Sequence, residues 1–161
     1  MKFNSCLWIC RAILVVWAGS ASAQSQVLIS EFMASNTRIL ADQDGDYSDW
    51  IEIHNSGSIP VNLADWYLTD SDTQLNKWKF PSVSLDANGY LVVFASGKDR
   101  AAAGAQLHAN FSLAAQGEYL ALVQPDGTTV ASEFAPQYPE QLPDYSYGVV
   151  GGVNYYFAKP T

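Results

Sequence analysis

The chain has 161 residues, with 16 Asp and Glu against 8 Lys and Arg and a formal net charge of −8 at pH 7. Phosphate backbones and anionic membranes are bound by clustered Lys and Arg, so this balance argues against both as partners. Past residue 23 the basic groupings are Lys77/Lys79 and Lys98/Arg100, too sparse for nucleic-acid binding by this chain alone.

The N-terminus reads as an export signal. Lys2 and Arg11 flank and interrupt the apolar segment LWICRAILVVW, and Ala21-Ser22-Ala23 fits a small-residue cleavage site. The competing reading is a membrane anchor. The run from Ala12 to Ala18 falls short of the ~20 apolar residues a span requires, and Arg11 interrupts any longer run. The expectation is a cleaved signal over 1–23 and one domain over 24–161, secreted, periplasmic or on a bacterial cell surface. Both cysteines, Cys6 and Cys10, lie in the signal, so the domain is expected to fold without a disulfide, thiolate site or cofactor.

After the signal the chain reads as short strands separated by turns. Val27 to Ala34 is the first. In Asp49 to Asn55, Ile51 and Ile53 alternate with Trp50, Glu52 and His54, which marks a strand with one buried face. Asn55-Ser56-Gly57-Ser58 is a turn, and Val61 to Thr69 is a third strand. Lys77 to Phe80 is a short one. Gly89 opens YLVVFAS, apolar on both faces as in a central strand. Lys98 to Ala105 is the one helix candidate, interrupted by Gly104. Leu107 to Leu113 and Glu118 to Gln124 follow, then a Pro125-Asp126-Gly127 hairpin turn and a return over Thr128 to Phe134. APQYPEQLPDYSYG reads as an extended, strand-poor excursion, and Val149-Val150-Gly151-Gly152 as a β-turn. About nine short strands with regular turn signals predict an all-β, immunoglobulin-like β-sandwich. The predicted core is Ile51, Ile53, Leu63, Trp66, Leu91, Val93, Leu120 and Leu122. Trp50, in phase with Glu52 and His54, is expected to be partly exposed.

Several segments recur in a recognisable order: ISEFMASN, DQDGDYSDWIEIHNSG, VNLADWYLTD, KWKFP, GYLVVFASGKD, LHANFSL, GEYLAL, PDG and DYSYG. Together, from Val27 to about Gly148, they resemble the lamin tail domain of exported bacterial proteins. The resemblance implies an immunoglobulin-like sandwich and a non-catalytic module. Such modules accompany hydrolases, nucleases or spore-coat-like kinases. It also implies a chain that continues past Ala158-Lys159-Pro160-Thr161, so a truncated C-terminal end is expected. Rod heptads, a basic import cluster and a prenylation box, as in nuclear lamins, are lacking.

Three groups of residues bear on chemistry. Asp42, Asp44 and Asp46 alternate around Gly45, with Asp49 and Glu52 behind them. Closely spaced carboxylates suit calcium, but positions six and twelve counted from Asp42 are Tyr47 and Ile53, so the loop is not an EF-hand. The two readings are a calcium site and an Asp-rich turn held by its own backbone bonds. His54 and His108, with Glu31 and Glu52, are a candidate divalent-metal set without close ligand spacing, against structural or surface histidines. No G-x-S-x-G elbow or phosphate loop is present. The many aromatics are either sandwich packing or a sugar platform. The expected function is an exported, monomeric, non-catalytic module that binds or tethers a protein or cell-surface ligand. The alternative is a carbohydrate- or calcium-binding appendage of an extracellular hydrolase, nuclease or kinase.

Overall fold

The computed structural model describes residues 26–161, so the predicted signal lies outside the described residues. Among the described residues twelve strands form: β1 (Val27–Met33), β2 (Asp49–Asn55), β3 (Val61–Asn62), β4 (Tyr67–Thr69), β5 (Trp78–Lys79), β6 (Ser84–Leu85), β7 (Tyr90–Ala95), β8 (Leu107–His108), β9 (Leu120–Val123), β10 (Val130–Phe134), β11 (Ser146–Val150) and β12 (Val153–Phe157). They build a six-stranded sheet, β12-β11-β1-β2-β7-β8, and a four-stranded sheet, β10-β9-β4-β5, with β3 and β6 paired separately. Every pairing is antiparallel except β7 with β8. This is an immunoglobulin-like β-sandwich. Among the described residues no helix is long and apolar enough to cross a membrane.

One buried cluster joins both sheets and explains why they face each other. Val27, Ile29 and Phe32 from β1, Ile51 and Ile53 from β2, and Val93 from β7 meet Leu68, Trp78, Leu120, Leu122 and Phe134 from the second sheet. Each such side chain contributes about 1.5–3 kcal/mol on burial. Ile51, Ile53, Leu63, Val93, Leu120 and Leu122 are buried as expected, whereas Trp66 and Leu91 are only half-buried against the cluster's edge.

The segment 61–69 is not one strand. Asp65 adopts a φ of 64°, the chain turns there, and β3 and β4 enter different sheets. That turn takes Trp66 out of phase with a continuous core face. Residues 98–105 form no helix; Asp99 (φ 52°) and Gly104 (φ 81°) both sit in the left-handed region, which a right-handed helix excludes. Only Leu107–His108 of the predicted 107–113 strand forms, with an isolated bridge from Ser96 to Ser112. The tail holds more structure than its prolines suggest. Gly151 and Gly152, both at positive φ, make the hairpin turn between β11 and β12, and β11 pairs directly with β1.

A β-bulge in β1 sets the faces of the whole sheet. Strict alternation would send Glu31 inward with Val27 and Ile29. The register shifts between Ile29 and Glu31, so Ser30 is the extra residue, Phe32 points into the core and Glu31 lies on the outer face opposite Glu52. Gly148 of β11 lies opposite Glu31, and a Cβ there would collide with the Ser30 carbonyl.

Candidate functional site

The outer face of the six-stranded sheet has a covered half and an open half. In the covered half Met33, Trp50 and Phe94 sit abreast on β1, β2 and β7 and form a second buried cluster. Trp50 is 2 % exposed, not partly exposed as alternation predicts. Its side chain does lie on the outer face. The burial comes from the loop that follows β1, whose Ile39 and Leu40 line one depression with Trp50, Val92, Pro160 and Thr161. Asn36 organises that loop: its Nδ2 donates to Leu40 O (2.7 Å) and Ser48 O (2.8 Å), and its Oδ1 accepts from Ile39 N (3.0 Å). Asp144 pins the same loop from the tail. It accepts from the Thr37 amide and hydroxyl and pairs with Arg38 Nε at 3.0 Å.

The acidic loop belongs to this covered half. Among the described residues, Asp42, Asp44 and Asp46 are the group whose ligand oxygens converge within 4.8 Å of one another. They converge on Lys98, whose Nζ donates to Asp42 Oδ2 (2.5 Å), Asp44 Oδ2 (2.7 Å) and Asp46 Oδ2 (2.9 Å). Arg100 adds a pair to Asp44 at 2.7 Å. Asp42 also closes the turn by accepting from the amides of Asp44 and Asp46. Burial alone would raise the Asp42 pKa, but Lys98 and those amides outweigh it and hold it at about 2. Hydrogen bonds to the three carboxylates push Lys98 upward. Sequence reasoning found the carboxylates and missed the lysine, which lies more than fifty residues away along the chain.

The histidines separate. His108 is fully buried in the covered half, its ring stacked on Phe94 at 5.3 Å and its Nδ1 2.9 Å from Ser96 Oγ. Burial pulls its pKa down. Among the described residues its Nε2 has no hydrogen-bond partner, so no carboxylate among them orients the ring as the third member of a catalytic triad would. His54 lies in the open half, stacked face to face on its cross-strand partner Tyr90 at 4.2 Å and 6°. Its pKa is lowered by partial burial.

Glu31, Glu52 and His54 do meet, along one pocket of about 410 Å³ lined also by Ser30, Tyr90 and Thr161. His108 does not line it. Glu31 is 1 % and Glu52 8 % exposed. Glu31 accepts from the Ser146 hydroxyl and from the Thr161 hydroxyl and amide; Glu52 Oε1 accepts from Ser30 Oγ at 2.6 Å. Burial raises the Glu52 pKa, Ser30 opposes it, and the Glu31 charge adds to it. Of its lining, Tyr90 and Val150 are exposed, and Val153 and Tyr155 are exposed on the same side of the sheet.

No curated protein sequence matches the chain. The Lamin Tail Domain family model matches residues 20–135, more than half of the chain and nearly all of the sandwich up to the end of β10. That family is an immunoglobulin-like, non-catalytic domain that often mediates interactions. The order of segments, the sandwich they build and the family match agree: the chain belongs to the lamin tail domain family.

Proposed function

We propose that the chain is a non-catalytic, exported binding or tethering module. It acts as a monomer and engages a protein or cell-surface ligand through the open half of the outer sheet face. The observation that carries this is the open pocket over buried carboxylates, lined by the exposed Tyr90 and Val150, with Val153 and Tyr155 exposed on the same sheet face. Exposed apolar patches with polar groups beside them mark interaction surfaces. Export is supported by the N-terminal sequence pattern alone. The acidic loop is a structural turn in this reading, because Lys98 already supplies the charge a metal would bring.

A second reading has one observation in its favour. Tyr90 is 60 % exposed and stacked on His54, which suits a sugar ring as well as a protein side chain. The test is binding of the labelled chain to bacterial envelope fractions, immobilised extracellular proteins and polysaccharides, with Tyr90→Ser and Tyr155→Ser in parallel. Retention on envelope or protein that both substitutions weaken supports the proposal. Retention on polysaccharide alone favours the appendage reading, and no retention on any surface overturns the module.

A further inference from the structure

Two carboxylates face each other at the floor of the pocket without a cation. Glu31 and Glu52 are register partners on neighbouring strands, where like charges destabilise the pairing. Both are more than nine-tenths buried, and among the described residues neither has an ion pair. Their partners are neutral donors, which solvate a carboxylate without cancelling its charge. The two residues are also unequally served. Both Glu31 oxygens accept hydrogen bonds, from Ser146 and Thr161. Glu52 accepts at Oε1 from Ser30, and among the described residues its Oε2 has no hydrogen bond although the side chain lines the pocket. The acidic loop differs: there Lys98 closes three aspartates, and here no lysine among the described residues closes the two glutamates.

We infer that this pocket takes a primary ammonium or guanidinium group, the head of a Lys or Arg side chain presented by a protein partner. The inference rests on the binding-module reading and names the chemistry of its ligand. A cation at the floor supplies the missing charge and donates to the free Glu52 oxygen, a charge-assisted bond in a partly desolvated site. Tyr90, stacked on His54 in the same lining, offers an aromatic wall to the cation and its alkyl stem. The pocket volume of about 410 Å³ is ample for one such side chain. The whole chain carries −8, which draws a basic partner in. A divalent metal is served less well, because Glu31, Glu52 and His54 do not bring three ligand atoms together as the aspartates do.

The experiment is a titration of the purified chain with n-butylammonium and n-butylguanidinium chlorides, followed by amide chemical shifts. Neutral 1-pentanol, methyl α-glucoside and calcium chloride run as parallel probes. The expected result is saturable shifts at Ser30, Glu52 and Tyr90 with either cation. Glu52→Gln should weaken the response at least tenfold, and Glu140→Gln, on an exposed carboxylate, should leave it unchanged. Affinity should also rise with pH above the ordinary glutamate range as Glu52 loses its proton, and His54 in the same lining adds to that direction by losing its own. Glu31→Gln, checked for fold by its amide spectrum, supplies a second variant with the same expected direction. An equal response to pentanol, a response to the glucoside or calcium alone, or no effect of Glu52→Gln overturns the inference. Surface retention that persists unchanged in Glu52→Gln also overturns the cation pocket and leaves the module standing. Cation binding without any surface retention does the reverse.

Discussion

Lys98 is the residue whose removal changes the chemistry of its surroundings most. Asp42, Asp44 and Asp46 repel one another, and its ammonium is the positive charge shared by all three. Two outcomes follow from that geometry. Millimolar calcium should leave the melting temperature of the natural chain nearly unchanged, because the position between the carboxylates is taken. Lys98→Met should lower the melting temperature, and calcium should then restore part of the loss by mass action on the vacated carboxylates. A calcium-induced rise of several degrees in the natural chain, seen by calorimetry, would mean the lysine yields to the metal. The tryptophans give a second residue-scale test. Trp50 is closed over by the loop and Trp66 is only half-buried, so Trp50→Ala should cost about 3–5 kcal/mol and Trp66→Ala clearly less. Urea denaturation of both variants decides it, and the reverse order would favour the simple alternation pattern. That pattern identified the outward face of β2 correctly. It carried no information about burial, because what covers Trp50 is a loop and a C-terminal segment brought in by tertiary folding. Lys98 was illegible for the same reason: no local spacing ties it to the carboxylates it closes.

At the scale of elements, the bulge at Ser30 and the glycine opposite it form one device. The Ser30 carbonyl is pushed toward β11, and Gly148 leaves it room. Gly148→Ala should therefore cost about 1–3 kcal/mol through overpacking. Deleting Ser30 restores plain alternation while keeping Ile29 and Phe32 inward, so it should relieve much of that cost. A double-mutant cycle by chemical denaturation measures the coupling; strictly additive effects would separate the bulge from the glycine. Strands with clean alternation, such as Asp49–Asn55, were legible because one face is apolar and the other is not. The strand over Val61–Thr69 was misread because a non-glycine residue, Asp65, takes a left-handed conformation that composition does not announce. β12 was missed although a signal was present: Gly-Gly followed by VNYYF is a hairpin turn with a β-prone return. The candidate pocket was legible only as a list of residues. Glu31 and Glu52 were grouped with both histidines, and the bulge that brings the two glutamates together without His108 leaves no periodic trace.

For the molecule as a whole, buried acids and buried histidines contribute to the pH dependence of stability with opposite signs. Burial raises Asp49 to about 6, above its unfolded value, against the pull of the Leu113 and Asn36 amides. Burial likewise raises Glu52 and Glu118. A raised acid penalises the folded state when ionised, so the stability these acids allow should increase as pH falls from about 7 through 6 toward 5. Asp42 and Asp126 have the opposite sign. Both are held at about 2, so the stability they contribute is present above the ordinary Asp value near 4 and is lost as pH drops from there toward 2. His54 and His108, both lowered by burial, act with the opposite sign over the same range, so the acid contribution is read as a difference: the urea midpoint of the natural chain relative to that of Asp49→Asn should rise from pH 7 to pH 5. A relative midpoint that stays flat or falls from pH 7 to pH 5 contradicts this assignment. The pairing of β11 with β1 carries a further consequence, for a chain under mechanical load. β12 runs parallel to β1 with β11 between them, so the chain enters the sheet at Val27 and leaves it at Phe157, at opposite ends. Tension applied through the two flanks first peels residues 158–161 from the outer face, and then slides β1, β11 and β12 along one another. Their hydrogen bonds are then strained together instead of opening one by one like a zipper. A sandwich loaded this way should yield at a higher force when pulled from its flanks than when pulled across the β11–β12 hairpin, a comparison single-molecule force spectroscopy can make directly.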